Sequence, residues 1–171
     1  MADGDETVAE EDTIVDGGWW WPDAVEKSEK IIGDLEIPWD DLAVSEDDIT
    51  DGNLVALSEK LAKTSYYIIK TNNILTRVVA TQAASKEALE HAVSKILATG
   101  DDIDGISPKP AIEARKAAII SSNGRLRETK IELVESQTIL RALENVKESL
   151  DISWKTISRI LSARLHEPID R

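Results

Sequence analysis

The chain contains no cysteine and no phenylalanine, only two tyrosines, and no apolar run near the roughly 20 residues a bilayer requires. Without cysteine there is no disulfide, no thiolate metal site and no cysteine nucleophile. Scarcity of large rings argues against an ordinary globular core, which relies on several of them. Leu, Ile, Val and Ala fill that role instead, a choice suited to elongated helix packing. No glycine-rich phosphate loop and no nucleophile elbow occurs. His91 and His166 have no second His or Cys at ligand spacing and read as surface or helix-end residues. The run Asp101-Asp102-Ile103-Asp104-Gly105 fails as a calcium loop, because Gly100 and Ala111 would occupy ligand positions. Its plainer reading is a solvated turn. The start, Met1-Ala2-Asp3-Gly4-Asp5-Glu6, is acidic where a leader would be basic and then apolar. The expectation is a non-enzymatic intracellular protein, cytoplasmic or nuclear, with no cofactor, no metal and no membrane span.

Charge is present but unevenly placed. Residues 1–52 carry 18 acidic and 2 basic side chains, whereas residues 53–171 carry 15 acidic and 18 basic. The overall charge of −13 therefore belongs almost wholly to the first third. Such a split predicts an acidic arm joined to a weakly basic body.

The body is built on seven-residue spacing. From Ala111 to Leu165, one position per heptad reads Ile112, Ile119, Leu126, Leu133, Leu140, Lys147, Trp154 and Leu161. A repeat sustained this long means a helix that buries one face against other helices. A second series, Leu54, Leu61, Ile68, Leu75, Gln82, Leu89 and Ile96, predicts an earlier helix opened by Asp51 or Asn53. Residues 99–110 are turn chemistry, so two long helices are expected, about 53–98 and 110–165, as an antiparallel hairpin or a coiled-coil or bundle oligomer. Ser121-Ser122-Asn123-Gly124 threatens the second helix with a kink or a short break. The apolar stripes span three adjacent heptad rows, more than a lone hairpin can cover. Self-association is expected through Leu126, Leu133, Leu140, Leu143, Leu150, Trp154, Ile157 and Leu161, with Gln82 and Lys147 as polar interruptions. The competing reading is a monomer whose own arm covers the surplus.

The arm, residues 1–52, is expected to be mostly disordered, since its first 18 residues cannot bury enough apolar surface to offset chain entropy. Trp19-Trp20-Trp21-Pro22 then leads into a short helix with Val25, Ile32 and Leu35 on one face, and Ile37-Pro38-Trp39 follows. Trp19, Trp20, Trp21, Ile32, Leu35 and Trp39 read as a linear motif for a protein partner. They read equally as a cap folded back on the chain's own helices. Ser45 has Asp48 three places on, the preference of acidophilic kinases, and also the composition of a helix cap. Arg115, Lys116, Arg125, Arg127 and Lys130 form a basic segment able to follow a phosphate backbone. Interleaved Glu113 and Glu128 favour intrahelix pairing, or docking of the acidic arm.

In layout alone, an acidic arm with a short apolar motif ahead of an oligomeric coiled coil, the chain is similar to the polymerase-cofactor phosphoproteins of negative-strand RNA viruses. It also resembles small phage recombination mediators, helical oligomers that handle single-stranded DNA. The first likeness implies a self-associating scaffold or adaptor with a protein partner; the second implies a nucleic-acid contact at residues 115–130.

Overall fold

The structure, a computed structural model, describes residues 21–50, 53–99 and 112–166. Among these the regular elements are α1 (Trp21–Gly33), α2 (Trp39–Leu42), α3 (Glu46–Thr50), α4 (Leu54–Thr99), α5 (Ile112–Ser122) and α6 (Gly124–His166), with no strand. The all-α class is as expected. Residues 1–18, read as disordered, and the turn-rich stretch from Gly100 lie outside the described residues.

The helix α4 starts where a cap is available. The Val55 amide donates to Asn53 Oδ1 at 2.9 Å, satisfying one of the orphan donors of the first turn. From there 46 residues continue without a proline, a length of about 69 Å. The second predicted helix is broken, and the break falls at Asn123 rather than at the glycine beside it. The Arg125 and Leu126 amides donate to Asn123 Oδ1 at 3.1 and 3.2 Å, so Asn123 caps a new helix and Gly124 becomes its first residue. The seven-residue register survives the break. Ile119 and Leu126 are both buried, in one cluster with Leu89 and Val93 of α4.

Contacts between α4 and α6 run in reversed order. Leu126 and Leu133 meet the region of Leu89 and Val93, Leu143 to Leu150 meet the region of Tyr67 to Val78, and Trp154 meets Ser65. The centre of this seam is a row of fully buried side chains: Leu57, Thr64 and Thr71 on α4, and Leu143, Leu150 and Ile157 on α6. Each row is spaced by seven. Gln82 is half-buried at the gap between the two clusters.

The segment 21–50, part of an arm expected to be mostly disordered apart from one short helix, is packed against the body. Leu35 and Leu42 are fully buried in one cluster with Leu143, Val146 and Leu150, and Ile31, Ile32 and Ile37 pack around them. The buried face of α1 is Ala24 and Ser28, continued by Leu35 just past its end and rotated from the expected Val25–Ile32–Leu35 face. Glu36 adopts a left-handed backbone (φ 51) at the turn that lets Leu35 and Leu42 share this cluster. Cations of the body hold the arm's carbonyl groups. Lys70 Nζ donates to Leu35 O at 2.9 Å, Lys60 Nζ to Ala43 O at 2.8 Å, and Arg164 Nη2 to Ile49 O at 2.6 Å and also to Thr50 O. Three cations thus anchor a segment whose own charge is strongly negative, at carbonyls that a helix end leaves open.

One polar atom in the centre is unsatisfied. Thr71 is fully buried and its hydroxyl has no partner among the described residues, whereas the hydroxyl of Thr64 donates to Lys60 O at 2.8 Å. Thr71→Val exchanges a stranded hydroxyl for a methyl of similar size. It is expected to stabilise the fold by about 1 kcal/mol, seen as a Tm rise of about 2–4 °C. A fall in Tm would show that the hydroxyl has a partner.

Candidate interaction surface

The α4–α6 seam has two flanks, one covered by α1 and α2 and the other partly open. On the first flank, α1 and α2 bring Leu35 and Leu42 onto Tyr67, Ile74, Val78, Ile139 and Val146. The second flank carries the Leu54–Leu75 part of the α4 heptad row and the Leu140–Leu161 part of the α6 row. On α4, Leu54 is exposed and Leu61, Ile68 and Leu75 are half-buried. On α6, Leu140, Lys147 and Leu161 are half-buried and Trp154 is 38% exposed. Ile68 and Leu75 also pack against the first cluster, so this flank is only partly open.

Trp154 is held in place while remaining open to solvent. Its Nε1 donates to Ser65 Oγ at 3.0 Å, and Ser65 Oγ donates onward to Leu61 O at 2.9 Å. The hydroxyl is thereby satisfied in both roles. Lower on the same flank is a groove of about 300 Å³ lined by Leu75, Glu144, Lys147, Glu148, Asp151, Ile152 and Lys155. Most of that lining is charged, and ligand pockets are mostly apolar with a few placed polar groups. It suits a polar macromolecular edge better than a buried small molecule. Lys147 sits 3.9 Å from Asp151, one turn away, so the interruption of the apolar row is locally neutralised.

The residues expected to drive self-association divide between these environments. Leu126, Leu143, Leu150 and Ile157 are buried within the single chain, the last three of them with no exposed surface. Leu133 is half-buried beside the second cluster, and Leu140, Trp154 and Leu161 lie on the open flank. Among the partner-motif residues, Trp19 and Trp20 lie outside the described residues and Trp21 opens α1. Ile32 is half-buried, Leu35 is fully buried, and Trp39 is 41% exposed at the start of α2. For Ile32 and Leu35 the described contacts are internal, as in the fold-back alternative.

Ser45 caps α3. Its amide and its hydroxyl donate to Asp48 Oδ2 at 2.7 and 2.9 Å, and the Asp48 amide donates to Ser45 Oγ at 3.2 Å. This reciprocal pair is a capping box with Asp in the acidic position. Lys60 Nζ lies 2.7 Å from the same carboxylate. That lysine contact, reinforced by the Ser45 amide, lowers the Asp48 pKa below its ordinary 3.8. A carboxylate whose folded pKa is depressed contributes stability above its unfolded value and loses it as pH falls through the lowered one. Asp48→Asn should therefore be less stable than the parent at pH 6, with the gap closing below about pH 4. Thermal unfolding at a series of pH values checks this; a gap independent of pH would contradict it.

In the basic segment, Arg125, Arg127 and Lys130 are exposed, Arg115 and Lys116 half-buried. Lys116 pairs with Glu113 at 2.9 Å, while none of the other four pairs with a carboxylate among the described residues. His91 is exposed, and His166 Nδ1 lies 2.8 Å from Ser162 O. Among the described residues no three His, Cys, Asp or Glu side chains converge as metal ligands, and no helix is long and apolar enough to cross a membrane.

Sequence reasoning missed Lys60, Lys70 and Arg164, the cations that fasten residues 34–50. Nothing in their spacing marks them, because their partners are mainly backbone carbonyls distant in sequence. It also missed Tyr66 and Ile69, both about 60% exposed on α4. Two bulky side chains three apart on an otherwise Ser-, Lys- and Asn-rich face were the available signal. Comparison of the chain with protein-family models, curated proteins and solved structures gives no match.

Proposed function

We propose that this chain is a non-enzymatic helical scaffold or adaptor that self-associates through the open flank of the α4–α6 seam. In this reading α4 and α6 are the two arms of an antiparallel hairpin, and α1 and α2 supply its third layer. The carrying observation is the row Leu61, Leu140, Trp154 and Leu161, partly exposed at seven-residue spacing, beside Ile68 and Leu75, which pack in part on the core cluster. A second copy offering the same row would bury it, as the rows of a bundle do. The partner-capture role falls to Trp39, exposed at the start of α2, and to Trp19 and Trp20, which lie outside the described residues. The layout shared with polymerase-cofactor phosphoproteins fits this division.

The test is sedimentation of the full chain from 1 to 100 μM. A rise in mean mass with concentration supports self-association; a single monomeric species at 100 μM would end it. A second reading, binding of a nucleic-acid backbone, draws on Arg125, Arg127 and Lys130, which have no carboxylate partner among the described residues. Full-length Arg125→Glu/Arg127→Glu distinguishes the two, since a scaffold keeps its assembly and a nucleic-acid binder loses retention on a filter. Truncation of the arm through residue 45 would not distinguish them, because Leu35 and Leu42 belong to the core.

A further inference from the structure

The helix α4 carries a second ridge, on the side opposite its buried row Leu57, Thr64 and Thr71. Val55, Ala62, Tyr66, Ile69, Asn73 and Ala80 are all exposed, and at about 100° per residue they fall within about 60° of the helix circumference. Steps of seven, four, three, four and seven residues are those of a coiled-coil seam, sustained here over about 38 Å. No charged residue stands in it, although 31% of the chain is charged. The ring at its centre is fixed while exposed. Tyr66 meets Tyr67 edge-on, with ring centroids 5.1 Å apart and planes at 80°, and Tyr67 packs on the first buried cluster. Part of the ordering cost of association is thereby removed in the single chain.

The ridge is symmetric about its own midpoint, between residues 67 and 68. Two antiparallel copies of α4 related by a two-fold axis at that point bring Val55 to Ala80, Ala62 to Asn73 and Tyr66 to Ile69 of the second copy. Charge supports the same alignment. Glu59 and Arg77 are both exposed and stand 18 residues, about five full turns, apart. They therefore share one border of the ridge, about 27 Å from each other, and neither has an ion-pair partner among the described residues. In the antiparallel pair Glu59 comes within one residue's rise of Arg77 of the second copy, and the two-fold axis makes that contact twice.

We propose that α4 pairs with α4 of a second copy, antiparallel, through the ridge centred on Tyr66 and Ile69 and bordered by two Glu59–Arg77 ion pairs. This contact lies on a different side of α4 from the open flank and does not rest on it.

The absence of native cysteine gives a direct test. Full-length Ala62→Cys and Asn73→Cys, mixed and oxidised at 50 mM salt, should form the mixed disulfide at least tenfold faster than either variant forms its own dimer. Position 62 faces position 73, whereas like positions stand 11 residues, about 16 Å, apart along the axis, too far for a disulfide. Glu59→Arg in both chains sets like charges at both borders and should slow the mixed cross-link about tenfold; adding Arg77→Glu restores opposite signs and should recover the rate. All four positions are exposed, so circular dichroism should match the parent. Equal rates for mixed and self cross-links, or a rate unmoved by Glu59→Arg, would overturn the proposal. So would loss of the cross-link in Trp154→Ala, which would assign the contact to the open flank.

Discussion

Leu35→Ala is expected to destabilise the entire helical body, although Leu35 belongs to a segment whose composition is that of an acidic tail. The side chain has no exposed surface and shares its cluster with Leu42, Leu143, Val146 and Leu150. Emptying such a site costs the lost transfer free energy plus the cavity left behind, about 2–5 kcal/mol for Leu→Ala. Against a typical total of about 5–15 kcal/mol, that is a large fraction. Trp39→Ala, only four residues away but 41% exposed, should cost less than half as much. Urea unfolding followed by circular dichroism and by tryptophan fluorescence checks both variants. Coincident transitions shifted to lower urea for Leu35→Ala support one cooperative unit. An unchanged midpoint for the helical signal would make residues 21–50 an appendage after all.

That prediction turns on a feature the sequence left open. Heptad rows on α4 and α6 were legible because a period near 3.5 residues is a property of the helix itself, and the start of α4 was legible because Asn53 is a capping residue. Which element would cover those rows was not legible. Periodicity says that a face must be buried, and says nothing of what buries it. Ile31, Ile32, Leu35, Ile37 and Leu42 are enough apolar surface for a docking motif and enough for an internal layer. The choice depends on Lys60, Lys70 and Arg164 reaching carbonyls up to 115 residues away, which no local pattern encodes. The same limit applies within α6. The rows containing Leu140 and Trp154 and containing Leu143 and Leu150 are comparably apolar, and the position of α1 and α2 decides which becomes the centre. At Ser122-Asn123-Gly124 the weak residue was the glycine, but the break belongs to the asparagine, whose side chain accepts from the Arg125 and Leu126 amides while glycine has none to offer.

If the open flank joins copies of the chain, Trp154 should dominate its energetics. A ring 38% exposed in the single chain still has surface to bury, and its bond to Ser65 Oγ fixes the orientation in advance. Fixing it beforehand removes part of the ordering cost that association otherwise carries. Buried tryptophans at the middle of an interface contribute about 2 kcal/mol or more, so Trp154→Ala should weaken self-association about 30-fold or more. Ile112→Ala, at a side chain 67% exposed on α5, should leave it unchanged. Because the ring also packs across its own seam, a loss of fold in Trp154→Ala would leave the reading to a variant of opposite sign. Lys147→Leu removes the charged interruption from the row Leu140, Lys147, Trp154 and Leu161 and should tighten association. Both shifts are read by sedimentation equilibrium alongside circular dichroism. Equal masses for the parent, Trp154→Ala and Lys147→Leu would mean that this flank faces solvent in every copy, and the scaffold would need another surface.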